Sequence, residues 1–309
     1  MPSDGVCPMS RPLAFLLRLA LILGLLLPGV AAADAPAIPH GEGLLFRIEQ
    51  PGQRPSYLFG TMHVADPDIL DLPQPVRDAF SGARRVALEI VWDGVAAEYM
   101  IEATRLPEGQ TLADMIGPEL FEAVTDRLDR FGADPEELQK LRPWAVGFLL
   151  GGKVTRFRPG QPGDRYLDEW LRNEAGMDGK LVYGLETPAE HMAPFEQLTD
   201  AQERAFLASA LDERADRRVF DDMKALYLAR DTAGLSRLAE TGDSAMDPGL
   251  REAFNRYLID DRNEKMVARM EKLLARGDLF AAVGALHLPG EAGMLRLLEA
   301  RGYRVTRVY

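Results

Sequence analysis

Two short stretches of the chain repeat one pattern, Gly60-Thr61-Met62-His63 and Gly284-Ala285-Leu286-His287. Each is a Gly-x-x-His at the end of an apolar, strand-like run, Ser56–Phe59 in one case and Leu279–Val283 in the other. The chain holds only 4 histidines, so two in the same context argue against coincidence. In open α/β sheets, ligands collect in the crevice at the carboxyl ends of strands. Glycine at such an end lets the backbone turn tightly or approach a ligand closely, and a histidine three residues on reaches the same crevice. Two further strand-like runs end in an acidic residue, Arg85–Leu88 in Glu89 and Leu181–Leu185 in Glu186. Two imidazoles and two carboxylates converging at strand ends make a metal-hydrolase site, in which the ion polarises a carbonyl and acidifies water.

Taken singly, these residues say less. A lone histidine after a strand is usually just a polar strand end; the shared glycine context turns His63 and His287 toward a ligand role. By spacing alone, Glu89 and Glu186 are as readily helix caps or surface charges, and Glu186 could cap a helix starting near Pro188. Arg262 and Asn263 lie among Asp260, Asp261, Glu264 and Lys265, a pattern that reads as a solvated helix face. His191 has no partner signal and reads as structural or exposed, and His40 reads as part of a mobile leader. Trp144 and Trp170 fit helix packing. Other hydrolase signatures are missing: there is no Gly-x-Ser-x-Gly elbow, no His-Glu-x-x-His, and no phosphate-binding or dinucleotide fingerprint.

The elements that must position these residues follow from periodicity and turn signals. Leu44–Ile48 and Tyr57–Phe59 read as a β-hairpin across the turn-rich segment 51–55. A helix at about 74–82 leads to the strand ending in Glu89. From about Gly94 to Arg172 the pattern is helical, with apolar residues at Leu120, Phe121, Val124 and Leu128, and with Trp144–Leu150 apolar all round and therefore read as buried. A helix near 164–173 precedes the strand ending in Glu186, and a long helical region from Thr199 to about Arg276 breaks near Asp231, Gly242 and Pro248. The chain closes with a strand at 279–285, a helix at about 291–300 and a strand at 303–308, with Gly302 as the glycine that ends the last helix. The expected fold is α/β: a mixed β-sheet built from N- and C-terminal β-α-β units with a helical insertion between them, and pseudo-symmetric.

Residues 1–33 read as a signal peptide. Arg11 supplies a basic start, Leu19–Leu27 an apolar core interrupted only by Gly24, and Ala31-Ala32-Ala33 a cleavage site before Asp34. That core is far short of the roughly 20 apolar residues of a spanning helix, so no stable membrane insertion is expected after cleavage. Met9 is an alternative start. The chain's 1 cysteine, Cys7, precedes the apolar core, so residues 34–309, read as a single domain, are expected to have neither a disulfide nor a thiol nucleophile. The formal net charge is −12. Loss of the leader, with Arg11, Arg18 and Asp4, makes it one unit more negative, which gives no footprint for nucleic acid or anionic lipid. The expected location is the periplasm.

Together, Leu58–Val64, Ala87–Ile90, Gly184–Thr187, Arg262-Asn263 with Met266, Val283–Gly290 and the terminal Gly302–Val305 resemble the TraB/GumN family, which includes the Tiki proteins. The resemblance covers about Leu44 to Val308. It implies an α/β fold with both Gly-x-x-His motifs facing one cleft, and a metal-dependent protease using the two histidines and a glutamate, with manganese or cobalt favoured. It assigns a catalytic-site role to His63, Glu89, Glu186, Arg262, Asn263 and His287. Where the family usually has Glu-Gln, this chain has Glu190-His191. The resulting expectation is a periplasmic metal-dependent hydrolase acting on peptide or protein amide bonds. His63 and His287 would hold a divalent ion (manganese, cobalt or zinc) with Glu89 or Glu186 as the oxygen ligand. The other glutamate would be the general base, and Arg262 or Asn263 would stabilise an oxyanion. Glu89 is expected to be the more sensitive carboxylate, because it shares a compact unit with His63. The alternative is a non-catalytic periplasmic protein that sequesters a peptide, a metal or haem; the distantly similar ChaN group binds haem.

Overall fold

Six strands, β1 (Leu45–Glu49), β2 (Ser56–Thr61), β3 (Arg85–Leu88), β4 (Leu181–Gly184), β5 (Leu279–Gly284) and β6 (Arg304–Arg307), form one mixed sheet of order β4-β3-β5-β2-β1-β6. The computed structural model describes residues 37–154, 166–241 and 255–309, with Gly249 and Glu252. The signal-peptide reading of residues 1–33 and the expected breaks at Gly242 and Pro248 lie outside the described residues. Among the described residues, no helix is long and apolar enough to cross a membrane.

Strand direction is what makes the site. β2 pairs parallel to β5, β5 to β3, and β3 to β4, whereas β1 runs antiparallel to β2 and to β6. All four strands that precede His63, Glu89, Glu186 and His287 therefore end at the same edge of the sheet. β5 lies among them as an unbroken apolar run, which suits a strand covered on both faces.

Side chains alternate along these strands, and each face packs its own helices. Phe59, Val86, Leu88, Phe280 and Ala282 pack with Val76, Ala79 and Phe80 of helix Gln74–Gly82 and with Leu167, Leu171 and Ala175 of helix Leu167–Met177. Leu58, Ala87, Ala281 and Val283 pack with Met266, Val267, Met270 and Leu274 of helix Asp261–Leu274 and with Leu295 and Leu298 of helix Met294–Ala300. Gly302, at φ 88°, lets the chain reverse from that last helix into β6.

Between β3 and β4, helices Gly94–Ala103, Leu112–Ile116, Pro118–Asp129, Pro135–Leu138 and Pro143–Val154 form the expected insertion. It carries its own core of Leu112, Ile116, Val124, Leu128, Leu138, Val146 and Leu150. Helix Pro143–Val154 is buried all round only over its first turn, Pro143–Gly147: Leu150 is inside, but Phe148 and Leu149 are exposed. Trp144 stacks on Phe195 and Trp170 packs against Phe80, both in the packing roles expected of them. His40 is not a loose leader residue. Its carbonyl accepts a hydrogen bond from Thr232, and its ring meets Phe46 edge-on and pairs with Glu299 at 3.2 Å.

Pseudo-symmetry extends no further than the adjacent strands β2 and β5. β2 leads through two helices to β3 on the far side of β5, whereas β5 leads through one helix to β6 at the opposite edge. The two motifs also differ locally, with His287 on a 3-10 turn (Ala285–His287) and His63 in irregular chain.

Gly60 is where β2 meets that turn. A Cβ there would lie 2.7 Å from Leu288 Cδ1 and 3.1 Å from Ala285 Cα, while the Gly60 carbonyl accepts from Tyr227 Oη at 2.9 Å. Gly60→Ala is therefore expected to lose about 1–3 kcal/mol of stability by overpacking. Urea unfolding measures it, and an unchanged midpoint would contradict the tight contact.

Candidate active site

Glu89, buried at the end of β3, is the centre of the arrangement. Its Oε1 accepts a hydrogen bond from the Gly284 amide at 2.6 Å. The same oxygen lies 3.7 Å from His63 Nε2 and 3.6 Å from His287 Nε2. Parallel pairing of β2 and β5 thus brings the two Gly-x-x-His histidines onto one carboxylate oxygen.

Each imidazole is oriented from behind. Asn263 Nδ2 donates to the Ala292 carbonyl at 2.8 Å, which fixes the amide so that its Oδ1 faces His287 Nδ1 at 2.7 Å. Nδ1 is therefore the protonated nitrogen of a neutral His287, and Nε2 presents a lone pair. His63 Nδ1 lies 2.8 Å from Asp168 Oδ2, and Asp168 Oδ1 accepts from Thr61 Oγ1 at 2.8 Å. Carboxylate and carbonyl-type partners behind imidazoles are the usual supports of metal-ligating histidines. Gly284 forms the floor between them: a Cβ there would sit 3.2 Å from Glu89 Oε1 and 3.6 Å from both His63 Nε2 and His287 Cδ2.

The second oxygen of Glu89 faces a different group. Arg262 Nη2 donates to Glu89 Oε2 and to Glu186 Oε2, both at 2.6 Å, its Nε donates to Glu186 Oε1 at 2.8 Å, and its Nη1 to the Leu258 carbonyl at 2.8 Å. His191 Nδ1 lies 3.0 Å from Glu186 Oε2. Its helix, Pro188–Glu196, is held by a capping box between Thr187 and Glu190, with Arg269 donating to Glu190 at 2.8 Å. Ligand atoms of Glu89, Glu186 and His191 lie within 4.8 Å of one another, a spacing that a metal ion could use.

Three readings from the sequence change here. Arg262 and Asn263 are not on a solvated face. They are buried and extend, by one turn, the inward stripe of Met266, Val267, Met270 and Leu274. The hydrogen bonds they donate run to Glu89, Glu186, the Leu258 carbonyl and the Ala292 carbonyl. His191 is not an isolated residue, because it lines the cleft and pairs with Glu186. Asp168 and Thr61 escaped the sequence reading altogether. Thr61 lies inside the first motif, and Asp168 stands beside the first apolar residue of helix Leu167–Met177, where no spacing rule marks it.

The electrostatics separate the two histidines. Burial pushes His287 down to about 4, leaving a neutral ring at pH 7. His63 is pushed well above 6.5, chiefly by the adjacent Asp168 carboxylate, although its ring is 54% exposed and water screens part of that pull. Burial favours the neutral acid at Glu89, but the facing His287, His63 and Arg262 outweigh it and hold the group well below the usual carboxylate range. Glu186 is lowered in the same way, with burial opposed by hydrogen bonds from Arg262 and His191. For Arg262, burial works against the charge, and the bonds to Glu186 and the charge of Glu89 more than restore it.

The cleft in front has a volume of about 230 Å³, with His63, Glu89, Trp92, Tyr166, Arg172 and His191 around it. Two Nε2 lone pairs and one carboxylate oxygen over a side-chain-free floor suit a divalent cation. Gly284→Ala tests that fit. The added methyl meets no atom closer than 3.2 Å, so the fold should survive, but it occupies the space among the three donors. Ion uptake measured by calorimetry should fall at least tenfold with an unchanged circular dichroism spectrum, and native affinity in this variant would exclude the site.

The match with known proteins takes in the same residues. A Metalloprotease TIKI homolog of Amphimedon queenslandica is 24% identical over 349 residues, covering 96% of this chain and 67% of that protein. Metalloprotease TIKI2 of Danio rerio is 24% identical, covering 81% of this chain and 58% of its own length. Uncharacterized protein YbaP of Shigella flexneri is also 24% identical, over 82% of this chain and 90% of its own. The chain thus spans about two thirds or less of the TIKI proteins it matches. The model of the TraB/PrgY/gumN family matches residues 44–307, a span that contains every site residue from His63 to His287, and the chain belongs to that family.

Proposed function

We propose that the protein is a metal-dependent hydrolase of peptide bonds, exported to the periplasm. The observation that carries this is the pair of oriented imidazoles facing Glu89 Oε1 over Gly284. The metalloprotease names of its relatives support amide bonds as the substrate class. His63, His287 and Glu89 would hold the ion, and this nitrogen and oxygen set suits manganese, cobalt and zinc alike. A divalent cation there would supply Lewis acidity toward a scissile carbonyl and lower the pKa of nearby water.

The remaining residues position and move protons. Arg262 Nη2 carries two hydrogens, and the short contacts to Glu89 and Glu186 use both. His191 Nδ1 is therefore the donor to Glu186, which leaves Nε2 for the cleft that the ring lines. A carboxylate-oriented imidazole of this kind can take a proton from an attacking water and return it to a leaving amine. Glu186, whose side chain is 0% exposed, then serves as the anchor of Arg262 and His191 and not as a base facing substrate. Trp92 and Tyr166 offer apolar walls to a substrate side chain, and Arg172 holds the Trp92 carbonyl at 2.9 Å. Against the haem branch of the alternative, the cleft falls below the ~300–1,000 Å³ of sites for drug-sized ligands.

His63→Ala and His287→Ala should each remove bound ion and metal-stimulated cleavage of a peptide library while preserving the circular dichroism spectrum. His191→Ala should keep the ion and lose about 10²–10⁴ in rate. Absence of metal-stimulated cleavage in the wild type would leave a binding role in its place. For export, osmotic shock should release a protein starting near Asp34, and a full-length chain in the cytosol would contradict it.

Ion uptake should also depend on pH with a defined sign. Ligation needs neutral His63, whose pKa stands above 6.5 because of Asp168, so binding releases a proton and weakens as pH falls through that raised value. Asp168→Asn should return His63 toward 6.5 and move the loss of affinity to lower pH. Calorimetric titrations between pH 5 and 9 measure this, and identical profiles would exclude the coupling.

A further inference from the structure

One nitrogen of Arg262 occupies an unusual position. Nη2 lies 2.6 Å from Glu89 Oε2, 2.6 Å from Glu186 Oε2 and 3.2 Å from His191 Nδ1. These are the residues whose ligand atoms cluster within 4.8 Å, the spacing of a metal triad. Glu89 belongs to both surroundings, with Oε1 toward the two histidines and Oε2 toward Arg262. A buried carboxylate shared between two cationic positions is the layout of a two-ion centre, in which two ions roughly 3.5–4 Å apart clamp the attacking and leaving oxygens.

We propose that Arg262 is the built-in second cation of this centre: the protein has a two-ion plan, takes one exchangeable divalent ion between His63, His287 and Glu89, and fills the other position with a guanidinium. The proposal rests on the metal reading above for its first position and on the Arg262 geometry for its second. A guanidinium is charged at every physiological pH and presents a rigid fork of donors, so it fixes the orientation of Glu89 without a second ion. It also stays in place when the free ion is stripped away. Arg262 is on this account a positioning residue, holding Glu89 Oε1 toward the histidines.

If Arg262 only pairs the two carboxylates, its removal leaves them to take up protons or to unfold the site, whereas a filled ion position takes up a divalent ion in its place. The test is the number of manganese ions bound per mature chain, measured by equilibrium dialysis and elemental analysis. Wild type and Arg262→Lys should bind one ion. Arg262→Ala should bind two, and adding His191→Ala or Glu186→Gln to it should return the count to one. Because removal of a buried cation strands two carboxylates, Arg262→Met is carried in parallel to keep the packing of the stem, and both variants are purified and assayed with manganese present. Recovery of either variant by manganese, with a second ion bound, supports the proposal. If neither variant binds more ions than the wild type, or neither folds even with manganese, it is overturned. A wild type that binds none beside an Arg262→Ala that binds one would instead sink the two-histidine centre and leave the Arg262 position standing. One ion in both would do the reverse.

Discussion

Everything in the site depends on the burial of the Glu89 carboxylate with its two oxygens committed to different partners. A lone buried carboxylate would take up a proton or pull its strand end into water. Here Arg262 neutralises one oxygen, while the Gly284 amide and the two imidazoles face the other. Because both oxygens are held, the side chain cannot rotate, and the rings and the guanidinium inherit fixed positions from it. Arg262 in turn needs Glu186, and His191 needs Glu186, so the charge pattern propagates outward from a single residue at the end of β3.

That residue can play this part only because of the sheet. Four parallel strands in the order β4-β3-β5-β2 place Glu186, Glu89, His287 and His63 along one edge although they come from distant parts of the chain. β3 and β5 are neighbours, which is how the Gly284 amide reaches Glu89. The glycines make the approach close enough. Gly60 admits the turn that carries His287, and Gly284 keeps side-chain atoms out of the space between the rings. Backbone pairing thus supplies most of the convergence, and the side chains need only short reaches.

This explains what could be read from the sequence. Apolar runs ending in Gly-x-x-His or Glu reveal strand ends, because a buried parallel strand has a strong local pattern; the helix expected at 74–82 has those bounds, and the one expected at about 291–300 begins at Met294. Arg262 and Asn263 were legible too, since they continue the i, i+4 stripe of Met266, Val267, Met270 and Leu274, but the surrounding charges outweighed that stripe. Helix Pro143–Val154 departs less: apolar residues all round suggest full burial, which holds for Pro143–Gly147 and Leu150, while Leu149 is exposed and Phe148 is exposed on one side as it packs on Trp144, Phe195 and Phe206. Asp168 and His191 carry no local signal, and Thr61 has only its place inside the first motif. Their roles exist only in the tertiary meeting of helices Leu167–Met177 and Pro188–Glu196 with the sheet edge.

The site is consequently built in two unequal halves. His287, 3% exposed and tied through Asn263 to helix Asp261–Leu274, belongs to the buried half made from the C-terminal unit. His63 is half exposed, sits in irregular chain beyond β2, and owes its orientation to Asp168, which arrives on the helix that follows the insertion. Trp92, Tyr166, Arg172 and His191 line the same cleft as His63. An ion held between these halves would meet one preset imidazole and one whose position depends on the packing of helix Leu167–Met177. Any displacement of that helix would therefore act on the His63 side of such an ion and on the cleft walls together, while His287 and Glu89, at the ends of β5 and β3, and Arg262, on helix Asp261–Leu274, make no hydrogen bond with Asp168. Under the proposed function, ion retention and substrate fit would be coupled through one helix, a link that follows from where the chain places Asp168 and not from any property of the metal.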